Sequence, residues 1–104
     1  MKYNILVDDE FSTIYKVETL EEAIDLGKDT KWCISEENNS MFDDYINQGY
    51  TVLFLIEKQI FEKYGIILTP EKEYDEIVNA NNKSLFYTNK FEEINKVLLQ
   101  YKII

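Results

Sequence analysis

Cys33 is the only thiol in the chain, and it lies in Thr30-Lys-Trp-Cys-Ile-Ser35 beside the only tryptophan. A nucleophilic cysteine needs a depressed pKa and usually a base within hydrogen-bond reach. The chain has no histidine, and Lys31 is no evident base. A Cys-x-x-Cys redox pair would need a second thiol where Ser35 stands. The expected role of Cys33 is therefore that of a buried structural thiol. Asp8-Asp9-Glu10 has the ligand type for a hard cation such as Mg²⁺ or Ca²⁺. Its spacing fits no calcium loop, and adjacent carboxylates on a strand alternate faces, so a solvated turn is expected.

Further acidic groups recur at Glu36-Glu37, at Asp43-Asp44 and from Glu71 to Glu76. Taken singly, each reads as a solvated face. Taken together, acidic groups from separate elements of a small rigid domain form a field that competes for a basic groove on another protein. Glu36, Glu37, Asp43 and Asp44, with Tyr45 and Tyr50 as aromatic anchors, are the candidate partner-binding residues. Asn79, Asn81 and Asn82 could meet a polar ligand, but turn chemistry accounts for them. Tyr50, Tyr64, Tyr74 and Tyr87 could make an aromatic recognition surface, with packing on the sheet as the default.

Composition narrows the function classes. Twenty acidic residues against eleven basic ones give a formal charge of −9, and every basic residue is a lysine. Without arginine the chain lacks the usual bidentate reader of phosphate and guanine, and its charge repels phosphate at long range, so direct nucleic-acid binding is not expected. Lack of histidine removes the common acid–base group near neutral pH and, with a single cysteine, the usual zinc donors. No catalytic residue, metal or cofactor is assigned. The longest apolar run is far short of the roughly 20 residues a membrane span needs, and the N-terminus reads as no targeting signal. A cytoplasmic protein of one domain, 1–104, is expected.

The elements that must position these residues follow from periodicity. Val52 to Ile56 is apolar on both faces, which fits a central strand covered on both sides. Strands are expected at Lys2–Val7, Phe11–Val17, Lys31–Ser35, Tyr50–Glu57, Tyr64–Thr69 and Tyr74–Asn79. Thr19 with Glu22 reads as a capping box that opens a short helix; Ser40 caps Met41–Gln48, with Gly49 as its stop. Asn89 with Glu92 opens a last helix whose apolar face carries Phe91, Ile94, Val97, Leu98 and Tyr101. The fold class is α+β: a mainly antiparallel sheet of five or six strands with three helices packed on it.

Gly27-Lys-Asp-Thr-Lys-Trp-Cys-Ile-Ser35 is followed by Met41-Phe-Asp-Asp-Tyr45, Gly49-Tyr50, Leu53-Phe-Leu-Ile56, Lys63-Tyr-Gly-Ile66 and Ile77-Val-Asn-Ala-Asn-Asn82. This series resembles a loosely defined module of phage and mobile-element proteins, in which a Thr-Lys-Trp-Cys-like start precedes an aromatic helix and a Gly-then-apolar strand. The likeness to conjugative-plasmid PcfJ-like proteins is weaker, because those tend to carry His-Cys where this chain has Trp32-Cys33. The resemblance covers roughly residues 27 to 85. It implies provenance in a phage or mobile element, where small acidic products are often inhibitors of host defence, anti-CRISPR proteins among them. The implied partner is a basic nucleic-acid-binding protein of the host bacterial cytoplasm. The alternative is a small ligand-binding or enzymatic module using Cys33 or the Asp8–Glu10 carboxylates.

Overall fold

In the computed structural model, residues 2–37 and 41–104 are described. Five strands form one antiparallel meander in the order β1-β2-β3-β4-β5: β1 Asn4–Asp8, β2 Ser12–Val17, β3 Thr51–Glu57, β4 Lys63–Leu68 and β5 Tyr74–Asn79. Three helices complete the α+β fold: α1 Leu20–Leu26, α2 Met41–Asn47 and α3 Asn89–Gln100. The apolar run of β3 lies at the middle of the sheet, and its side chains divide by alternation. Leu53 and Leu55 enter a core with Ile14, Ile66, Leu68 and Ile77 that α3 closes through Ile94 and Leu98. Val52 and Phe54 enter a second core with Val17, Ala23, Trp32, Phe42 and Ile67, beneath α1 and α2. The sheet is therefore covered on both faces, as the run's composition implies.

Local chemistry explains most of the boundaries. The β1–β2 turn needs no glycine, because Asp9 Oδ1 accepts from the backbone N–H groups of Phe11 and Ser12 at 2.8 and 2.9 Å. Thr19 caps α1 by accepting from Glu22 N–H, while the Glu22 carboxylate accepts from Glu18 N–H at 2.9 Å. At the other end of α1, Lys63 Nζ donates to the carbonyls of Leu26 and Lys28. Helix α2 stops in a Schellman arrangement, with Gly49 N–H on Ile46 O, Tyr50 N–H on Tyr45 O, and Gly49 at φ +83°. The Ser40 cap lies outside the described residues.

Two expected elements differ. Lys31–Ser35 is not a strand: Cys33–Ser35 is a single 3-10 turn. The segment crosses the end of β5 instead of lying along it, with Lys31 N–H on Ala80 O and Trp32 Nε1–H on Asn79 O, both at 2.8 Å. With those donors directed at the end of β5, the chain closes on itself through Ser35 N–H to Trp32 O and Glu36 N–H to Cys33 O. The cap of α3 is Thr88 rather than Asn89. Thr88 has the extended backbone a cap requires, and its hydroxyl accepts from Phe91 N–H, which leaves Glu92 outside any capping box. Phe11 also lies outside β2 and is exposed.

Candidate functional site

Trp32 organises the face of the sheet under α1 and α2. Its indole packs against Phe54 with ring centroids 4.6 Å apart. Gly65 on β4 lies beneath it, where a Cβ would come within 3.3 Å of the indole. Gly27 makes a similar close approach: a Cβ there would stand 1.9 Å from Ser35 Oγ and 2.7 Å from Ala23 O. Asn79, whose carbonyl accepts from the indole, uses its Oδ1 to accept from Asn81 and Lys83 N–H and so fixes the turn. Gly27, Trp32, Gly65 and Asn79 of the Thr-Lys-Trp-Cys series are thus accounted for by one packing arrangement.

That arrangement leaves a cleft of about 170 Å³ between the 3-10 turn, α2 and the middle of strands β4 and β5. Trp32, Ile34, Ile67 and Val78 supply apolar wall; Cys33, Tyr45, Glu76 and Asn82 supply polar groups. Cys33 is half-buried and lines the cleft, a correction to the expected buried thiol: Trp32 and Ile34 on either side take the core positions and turn it outward. Burial, then the Glu76 and Asp75 carboxylates, raises the Tyr45 phenol above its usual pKa. Burial raises Glu76 as well, with Asp75 adding to it. Asp75, Glu76 and Tyr45 therefore form one electrostatic unit, brought together by the β4–β5 register and the seating of α2.

Of the candidate partner-binding residues, Tyr45 and Tyr50 come together with ring centroids 5.3 Å apart, but only Tyr45 reaches the cleft. Asp43 and Asp44 are exposed in the first turn of α2, immediately before Tyr45. Glu36 and Glu37 are exposed just after the turn that carries Cys33 and Ile34. Among the described residues no lysine pairs with any of these four carboxylates. The sequence carries the cause, because no lysine occurs between Trp32 and Glu57. Asp75 and Glu76 join this face, and local sequence reading could not place them there, since they lie about 30 residues away.

The other candidates are dispersed. Asp8 is ion-paired to Lys58, and Asp9 accepts from Tyr101 Oη at 2.6 Å besides holding its turn. Among the described residues no three acidic, cysteine or histidine side chains are grouped to hold a metal. The four tyrosines do not make one surface. Tyr64 is buried and Tyr74 half-buried under α3, Tyr87 is fully exposed before α3, and Tyr50 lies on the opposite face of the sheet. Alternation of side chains across the sheet separates them.

No helix among the described residues is long and apolar enough to cross a membrane. Comparison of the chain with protein-family models, with curated proteins and with solved structures finds no match.

Proposed function

We propose that this protein is a non-enzymatic interaction protein of phage or mobile-element origin that inhibits a host nucleic-acid-handling defence complex by occupying a basic surface. The observation that carries this reading is a cluster of exposed carboxylates near the cleft. Among the described residues Glu36, Glu37, Asp43 and Asp44 stand exposed without lysine partners near an aromatic cleft lined by Glu76, with Asp75 close to Tyr45. Elsewhere, Asp8, Asp25, Glu57 and Glu93 are each paired with a lysine. Concentrated like charge steers a protein toward an oppositely charged surface and makes the complex salt-sensitive. The likeness of residues 27 to 85 to the phage and mobile-element module supports the assigned origin.

The test is capture of partners from nuclease-treated lysate of a bacterium carrying defence systems, at low and moderate salt. A basic nucleic-acid-binding protein should be recovered, lost as salt rises, and lost at low salt when Asp43 and Asp44 are both changed to lysine. Retained affinity in that variant, with the fold intact, rejects this face.

The cleft itself favours a second reading, a small-ligand site in which the half-buried Cys33 thiol touches the occupant. It requires rapid thiol labelling at neutral pH that a bound ligand blocks; a thiol labelling no faster than a free cysteine removes its covalent form.

A further inference from the structure

The cleft specifies its occupant more narrowly than the acidic face around it. Its volume of about 170 Å³ is roughly tenfold what one water needs. It is smaller than the ~300–1,000 Å³ typical of small-molecule sites. One long side chain is the right scale. Buried Trp32 and Ile67, with half-buried Val78, give an apolar floor. The ionisable groups facing it are Glu76 from β5, Tyr45 from α2 and Cys33 from the 3-10 turn; no lysine lines it. An anion would meet Glu76 with Asp75 beside it, and a neutral apolar group would cover the Glu76 carboxylate without giving it a counter-charge. A cationic head on a flexible apolar stem satisfies both parts.

We propose that the cleft receives one arginine or lysine side chain of a basic partner, its stem lying on Trp32, Ile67 and Val78 and its head group meeting Glu76. This rests on the acidic-face reading and names the contact that anchors it. The phenol oxygen of Tyr45 is the second acceptor for the incoming N–H groups. Asp43 and Asp44 then contribute long-range attraction, whereas Glu76 contributes a short-range, charge-assisted bond.

Trp32 is the only tryptophan, so its indole N–H is a single-site reporter. The experiment titrates the ¹⁵N-labelled full chain with tetra-arginine peptide and with its neutral tetra-citrulline counterpart at low salt. The proposal expects tetra-arginine to shift the Trp32 indole and the Gly65 and Val78 amides, tetra-citrulline to leave them in place, and Glu76→Gln to weaken binding about tenfold. Val78→Phe, which fills the cleft without changing charge, should abolish the indole response while weak binding at Asp43 and Asp44 persists. Shifts confined to Glu36, Glu37, Asp43 and Asp44 overturn the cleft contact and leave the acidic face standing. No shifts from either peptide overturn both.

Discussion

The two faces of the sheet show different uses of the same materials. Under α3, twelve residues of helix lie on a core of eight buried sheet side chains, and the Glu57 and Glu93 carboxylates at its edge are paired. Lys90 Nζ reaches Glu57 and Glu93, both at 2.8 Å, and stands 5.4 Å from the centre of the Tyr64 ring. Burial pulls the Lys90 pKa down, but those hydrogen bonds outweigh it and hold the ammonium above its usual range. On the other face, two seven-residue helices and a 3-10 turn cover the sheet incompletely. Trp32 spans the gap, its neighbours form a cleft, and the carboxylates around it have no lysine partners. One face is closed, with Glu57 and Glu93 paired to Lys90, and the other carries an opening beside carboxylates that have no lysine partner among the described residues. A domain of this size needs the first for stability, and the second is where a partner can gain energy.

The largest effect separating the faces is expected from truncation of each keystone. Trp32→Ala removes a buried ring, its contact with Phe54 and its bond to Asn79 O, and should cost about 3–5 kcal/mol in urea unfolding. Leu98→Ala, fully buried under α3, should cost about 2–5 kcal/mol. Only the tryptophan change should also abolish protection of the β5–turn amides from hydrogen exchange while α3 stays protected. Equal local effects would mean the faces are one cooperative unit.

That asymmetry was only partly legible in the sequence. Val52 to Ile56, the Thr19 cap, the meander and the spacing of Phe91, Ile94, Val97 and Leu98 are local patterns, and local patterns survive folding. Trp32-Cys33-Ile34 buries its first and last members whether it is a strand or a 3-10 turn, so periodicity could not separate the two. The cleft depends on contacts of the Lys31–Trp32 segment with Asn79 and Ala80, some 48 residues away, and on the register that places Glu76 beside Ile67. No local rule carries that information. The acidic pairs and the lysine-free stretch between Trp32 and Glu57 were visible in the sequence, but that no lysine from elsewhere in the chain reaches these carboxylates is a property of the folded surface.

Alkaline pH should weaken the α3 face through Tyr64 and Tyr74. Burial pushes the Tyr74 phenol up to about 12, and its hydroxyl donates to Asn95 Oδ1 at 2.8 Å. Burial, aided by the bond to Glu62, raises Tyr64 further. A folded pKa above the unfolded one means stability is fully present below about pH 10 and is lost as pH rises through about 12. Unfolding midpoints should fall steeply over that window, and Tyr74→Phe should flatten the fall while costing about 1 kcal/mol at pH 7.

Smaller, and closer to the contrast in charge, Lys90→Met should cost about 1 kcal/mol and leave Glu57 without its partner. Replacing Asp43 and Asp44 by lysine should cost about 1 kcal/mol, because both lie in the first turn of α2, where the helix dipole favours negative charge. A large loss in the second variant would show that these carboxylates are structural.

The smallest effect distinguishes two glutamates. Glu93 is held below its usual pKa by the hydrogen bond from Lys90, so its contribution is present above the ordinary carboxylate range and lost as pH falls through its folded value. Glu76 is raised by burial, so its ionisation opposes folding above its folded pKa and that penalty vanishes in acid. At pH 7, Glu76→Gln should be neutral to stabilising and Glu93→Gln mildly destabilising. Below the carboxylate range the two should converge on wild type. Urea midpoints at pH 7 and in acid check the sign of each.

The central claim is that binding resides on the open face. Calorimetric affinity of the captured basic partner, at two salt concentrations, tests it most directly when charge is reversed on each face in turn. Asp43→Lys together with Asp44→Lys should weaken binding at least tenfold and flatten its salt dependence. Glu92→Lys, an exposed reversal on α3, should leave affinity within about twofold. Equal losses from both, or a loss from the α3 reversal alone, would contradict it.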